Sequence, residues 1–208
     1  MSFSQKIKDV RGVEDLFFDG LEIQKYQKEA FLDEKNTGQV DAFINDQNGM
    51  RTFFYLEGAN AVFGKDIPLC LTTQIHIGYV LLMPYLDEVI NDNRTRFLDY
   101  LESLENQGVR VSIDMVSEES SRYEKIVKKA LPHIDDLIIN EIEALKIGNK
   151  TYDKNIEPTI EMIKEAAVTI KSCGVKQLVV IHAPKFGLIY DGNQFTIVPS
   201  FDIDNSLI

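Results

Sequence analysis

The sequence predicts an α/β fold, a doubly wound and mostly parallel sheet with helices on both faces and a β-hairpin flap set into it. Three observations predict it. From residue 69 onward, short apolar runs alternate with segments whose apolar residues recur at helical spacing, the order that builds parallel strands joined by right-handed crossovers. One run, QIHIGYVLLM, is continuously apolar, as in a strand covered on both faces. The 208 residues are 44% hydrophobic and 26% charged, ordinary values for a chain that buries a core. No repeat or Pro/Gly/Ser-rich linker divides it, so residues 1–208 read as a single domain, with the flap at 37–60 an excursion from the core.

In chain order, Val13 to Phe31 has helix-like apolar spacing broken by Gly20. GQVDAFIND alternates Val40, Ala42 and Ile44, Asn48-Gly49 supplies a turn, and MRTFFYLEG follows as the second strand of a hairpin. The run from Leu69 to Pro84 reads as a central strand, and His76 inside it as a core histidine. Leu86 to Asn106 reads as a helix with Phe97, Tyr100, Leu101 and Leu104 on one face, ending at Gly108. VRVSIDMV is a strand, followed by a helix to Ala130 with Ser117 and Ser120 as candidate caps. DDLIIN is a short strand running into NEIEAL. A helix from Pro158 to Ser172 closes at Gly174, VKQLVVIHA is the next strand, and GLIYD with QFTIVPS forms a second hairpin around Gly192-Asn193.

Charge narrows the partners. The net charge of −11, from 22 basic and 33 acidic residues, repels nucleic acid and anionic membranes over most of the surface. Small ligands fit better, a nucleotide among them, because backbone amides and one or two local cations can hold phosphate within an acidic protein. Cys70 and Cys173 form no CxxC pair and have no histidine at metal-ligand spacing, which fits a reducing compartment. The N-terminus MSFSQKIKDVRG lacks the apolar stretch of a signal peptide, and Ile77 to Pro84 is too short to span a bilayer. The expected location is the cytoplasm.

In an open α/β sheet, ligands gather at the carboxyl ends of the strands. Asp114 ends VRVSIDMV and is either a cap for the next helix or a ligand contact. Asn140 and Glu143 sit one turn apart where a strand meets a helix; the spacing suits a capping box and equally an indirect hold on Mg²⁺, which keeps much of its water shell. His182-Ala183-Pro184-Lys185-Phe186-Gly187 follows LVVI directly. Gly187 would let the backbone approach a ligand and Lys185 would supply charge, although a plain turn explains both. No carboxylate partner for His182 is identifiable from the sequence. Arg51 and Gly58-Ala59-Asn60 are the polar features of the flap, and their guanidinium and amide groups suit exchange of hydrogen bonds with sugar hydroxyls.

Taken in order from Thr37 to Phe201, the flap TGQVDAFINDQNGMRTFFYLEGANA, HIGYVLLMP, GVRVSIDMVSEESSRY, LIINEIEALKIG and GVKQLVVIHAPKFGLIYDG resemble the PfkB, or ribokinase-like, family of carbohydrate kinases. The resemblance implies transfer of the γ-phosphoryl of ATP to a sugar hydroxyl, with ATP and Mg²⁺ as cofactors and a flap that can pair with a second copy. It places the family's NxxE element, which influences Mg²⁺ and phosphate, on Asn140 and Glu143. The nucleotide-contacting turn falls on His182, Ala183, Lys185 and Gly187, with the family's TxG pattern replaced at His182 and Pro184. Arg51, Asn60 and Asp114 take the sugar. Two family segments have no counterpart in the 208 residues, the N-terminal strand with its GG-containing sugar-binding stretch and the GAGD signature, whose amides stabilise the transferring phosphoryl group and whose Asp removes the hydroxyl proton. The chain therefore reads as truncated at both ends relative to the family, with no catalytic base of its own and little or no activity alone. The alternative is a non-catalytic nucleotide- or sugar-binding or dimerisation module.

Overall fold

The computed structural model describes residues 38–45, 51–64, 72–117, 122–151 and 157–201. Within them the chain divides into two compact units, one holding 38–64 and 82–86, the other 72–81 and 87–201. The predicted helix-like stretch at Val13–Phe31, the Asn48-Gly49 turn and Ser120 lie outside the described residues.

The smaller unit is built on an antiparallel hairpin of β1 (Gln39–Ile44) and β2 (Arg51–Leu56), in register from Gln39 opposite Leu56 to Ile44 opposite Arg51. Period-two alternation puts Val40, Ala42 and Ile44 on one face with Phe53 and Tyr55, and Phe43 on the other with Phe54 and Leu56. Phe43 and Phe54 meet edge to face at 5.4 Å. A 3-10 turn at Gly58–Val62 follows, and Asn60 Nδ2 donates to the Tyr55 hydroxyl, which donates to the Leu82 carbonyl.

The larger unit is an α/β layer. Its six-stranded sheet has the order β10-β9-β8-β7-β6-β3, with β3 (Gln74–Val80), β6 (Arg110–Met115), β7 (Asp136–Asn140) and β8 (Leu178–Ala183) parallel, and β9 (Phe186–Tyr190) and β10 (Phe195–Pro199) returning antiparallel. The crossovers carry α1 (Arg96–Asn106), α2 (Arg122–Ala130), α3 (Glu141–Ile147) and α4 (Ile160–Ser172). Three of the helices start on a capping side chain: Thr95 accepts from the Leu98 amide, Asn140 from that of Glu143, and Thr159 from that of Met162. The core is the seam between strands and helices, where Phe97, Leu101, Ile113, Ile126, Leu137, Ile139, Leu145 and Ile163 are closed to solvent. In β6 the consecutive Val111, Ser112 and Ile113 are all buried, so both of its faces are covered there.

Four expectations need correction. The helix predicted from Leu86 begins at Arg96, because a short hairpin of β4 (Val89–Asn91) and β5 (Arg94–Thr95) comes first; Asn91 Oδ1 accepts from the Asn93 amide and closes its turn. The strand predicted as central and covered on both faces is the edge strand β3 among the described residues, and its Gln74, His76 and Tyr79 are exposed, since neighbours and cover are set by the rest of the fold and not by the strand's own residues. His76 is exposed rather than in the core, its Nδ1 2.9 Å from the Ser112 hydroxyl. Ser117, expected to cap α2, instead directs its hydroxyl to Glu143.

Candidate functional site

The four parallel strands place Val80, Met115, Asn140 and Ala183 along one ridge of the sheet. Asn140 is the last residue of β7 and the N-cap of α3, with extended backbone (φ −80°, ψ 169°). Its Oδ1 accepts from the Glu143 amide at 2.9 Å, and Glu143 Oε2 accepts from the Asn140 amide at 3.0 Å. That is a complete capping box. The same bonds aim the Glu143 carboxylate back over the end of β7, so the cap is the device that fixes this side chain at the ridge.

The other carboxylate oxygen is held from the neighbouring strand. Ser117 Oγ, two residues past β6, donates to Glu143 Oε1 at 2.6 Å and accepts from Asn140 Nδ2 at 3.2 Å. Three side chains from two strand ends thus close a ring. Glu143 is 3% exposed, and burial pushes its carboxyl above the ordinary glutamate range; the Ser117 hydroxyl and the Asn140 amide pull it down, Asp114 pushes it up and His182 pulls it down. His182 stands directly opposite Asn140 in the β7–β8 register, within electrostatic reach of Glu143. The structure therefore joins two predicted residues, Asn140 and Glu143, by hydrogen bonds, adds Ser117 to them, and leaves Asp114 and His182 within electrostatic reach of Glu143.

The other nucleotide candidates lie at the end of β8 and the start of β9. Ala183 and Phe186 flank the two-residue turn that joins β8 to β9, and the exposed Lys185 in that turn donates to Glu157 Oε2 at 2.6 Å. Gly187 faces His182 across the hairpin, and a Cβ there would meet open space. Arg51 opens β2 opposite Ile44, and Asn60 is engaged by Tyr55, both in the hairpin unit.

Oxygen donors from Asn140 and Glu143 match the preference of Mg²⁺ for hard ligands. Two of the Glu143 lone pairs and one from the Asn140 carbonyl are already spent on hydrogen bonds, so the arrangement suits a hold through the metal's waters. Among the described residues no group of three or more His, Cys, Asp or Glu is placed to cage an ion.

No family model and no curated sequence matches the chain. Solved structures do. A ribokinase from Giardia lamblia is 15% identical, with a TM-score of 0.57 over 91% of this chain and 57% of that one. The fold is ribokinase-like. A pyrophosphate-dependent kinase of the ribokinase family, solved with a pyrophosphate analogue and myo-inositol, shares it at 15% identity and TM-score 0.55, over 92% of this chain and 62% of that one. So does a pyridoxal kinase from Bacillus subtilis in complex with ADP, at 18% identity and TM-score 0.51, over 88% of this chain and 68% of that one. The chain spans less than two thirds of the length of the first two of these ribokinase-like proteins. No helix among the described residues is long and apolar enough to cross a membrane.

Proposed function

We propose that the ridge around Asn140 and Glu143 holds Mg²⁺·ATP for transfer of the γ-phosphoryl group to an alcohol hydroxyl, with a sugar or polyol as the acceptor. The observation that carries this reading is the closed ring of Ser117, Asn140 and Glu143 at the carboxyl ends of parallel strands, in a fold whose solved neighbours are kinases. Bound there, Mg²⁺ would screen charge on the phosphates, the main electrostatic demand of phosphoryl transfer. Glu143 and Asn140 would hold it through hydrogen bonds from its waters. His182, Ala183, Lys185 and Gly187 lie at the next strand end and are assigned to the nucleotide, with Lys185 exchanging Glu157 for phosphate. Asp114 is assigned to the acceptor hydroxyls; Arg51 and Asn60, in the hairpin unit, stay sugar-recognition candidates on the family resemblance alone. A cytoplasmic setting, with its ATP supply, belongs to the same reading.

The 208 residues contain no Gly-Ala-Gly-Asp, and we assign the residues named above to binding rather than to removal of the hydroxyl proton. That favours a second reading for these residues on their own, a module that binds nucleotide and acceptor without turnover. Titration calorimetry with pentoses, hexoses, myo-inositol and pyridoxal, each beside saturating Mg²⁺·AMP-PCP, tests the acceptor class. Saturable heat from a sugar or polyol supports it; heat from pyridoxal alone, or from none of the panel, overturns it. ADP release that depends on the same acceptor separates the kinase from the binding module.

The hairpin is assigned to pairing with a second copy. Phe43, Ile44, Phe53, Phe54 and Leu56 are all more than half exposed, an apolar surface on a two-stranded sheet that a lone hairpin does not stabilise.

A further inference from the structure

We infer that Ser117 is a positioning residue for the metal side of the site, a role that rests on the reading of Asn140 and Glu143 given above. Its hydroxyl does two things at once, donating to Glu143 Oε1 at 2.6 Å and accepting from Asn140 Nδ2 at 3.2 Å. The capping box alone fixes only Oε2 of the carboxylate and only the carbonyl end of the Asn140 amide. Without Ser117, Oε1 and Nδ2 lose the partners seen here, and each side chain regains rotation about its last bond. Glu143 is 3% exposed, so solvent has little access to replace that donor.

Ser117 is not on the element it steadies. It lies 26 residues before Glu143, on the connection that leaves β6 directly after Asp114, Met115 and Val116. Val116 is itself tied down, its amide donating to the Val80 carbonyl of β3 at 3.0 Å. The end of β6 that carries the proposed acceptor contact, Asp114, is thereby joined through this connection to the proposed metal contacts by one hydroxyl, and a shift of that strand end moves both. Outer partners of this kind commonly change metal affinity about 10-fold to 100-fold when removed.

The test compares wild type, Ser117→Ala, Ser117→Thr, Glu143→Gln and the double variant Ser117→Ala/Glu143→Gln. Amide hydrogen exchange in the nucleotide-free protein reads the positioning itself: the Asn140 amide, which donates to Glu143, should exchange faster in Ser117→Ala and return toward wild type in Ser117→Thr. Electron paramagnetic resonance of Mn²⁺ with AMP-PCP reads the consequence, with Mn²⁺ affinity about 10-fold lower in Ser117→Ala, restored by Thr, and no further loss when Ser117→Ala is added to Glu143→Gln. Unchanged exchange and unchanged Mn²⁺ affinity in Ser117→Ala overturn the role of Ser117 while leaving the site intact. Absence of nucleotide-dependent Mn²⁺ binding in wild type overturns the site reading and this inference with it. Equal losses from Ser117→Ala in the wild-type and Glu143→Gln backgrounds show that Ser117 acts independently of Glu143, and also overturn it.

Discussion

At the residue scale, Glu143 combines a helix cap with a carboxylate that burial makes costly to ionise. Because its folded pKa is raised, protonation stabilises the fold at low pH, and that contribution is lost as pH climbs from the ordinary glutamate value through the folded one. Glu143→Gln keeps the capping-box geometry without the buried charge. It should therefore melt at or above the wild-type temperature at pH 7, the difference shrinking toward pH 4, while nucleotide binding with Mg²⁺ falls at least about tenfold. A variant that loses stability and keeps binding would make Glu143 a cap and nothing more. Glu105 shows the opposite sign. Lys176 donates to its Oε1 at 2.7 Å, His133 Nδ1 lies 2.9 Å from its Oε2, and the carboxyl is held below the ordinary range, first by Lys176 and then by His133. This contribution is present above the unfolded value and lost as pH falls through the folded one. Glu105→Gln should destabilise at neutral pH, with the gap closing in acid, as read by thermal melts across pH 3 to 7. Asn140 and Glu143 were legible in the sequence because three positions separate them; Ser117 was not, since a contact across 26 residues leaves no local pattern.

At the element scale, two glycines set how the helices seat. Gly174, at φ +116°, ends the turn after α4, and a Cβ there would lie 2.9 Å from the Pro132 Cα. Gly174→Ala meets both backbone strain and a backbone clash, and should cost about 1–3 kcal/mol by chemical denaturation. Gly148 lets the end of α3 approach α4, a Cβ there falling 3.0 Å from the Ala166 backbone. The helix stop at Gly174 and the hairpin turn at Gly192-Asn193 were readable because glycine marks them. The start of α1 was not, since Val89 and Ile90 extend the helical spacing into what is a hairpin; Asn91 in the turn and Thr95 as a cap were the local signals against it.

At the scale of the whole molecule, the mostly parallel α/β class followed from alternation, because successive strands joined by helical crossovers build a parallel sheet. The edge position of β3 did not, since it depends on neighbours and not on the strand's own residues. The exposed hairpin belongs to this scale as well: sedimentation velocity should show a concentration-dependent dimer that Phe54→Asp abolishes without lowering the melting temperature of the larger unit, and a wild-type monomer at high concentration would remove the hairpin from the account. The ribokinase-like fold and the ring at Asn140 make their joint claim on nucleotide. Titration calorimetry of the wild-type chain with AMP-PCP, with and without Mg²⁺, tests it most directly. The account predicts one-site binding that requires Mg²⁺ and weakens at least about tenfold in Glu143→Gln; no binding, or binding indifferent to both Mg²⁺ and Glu143, would contradict it.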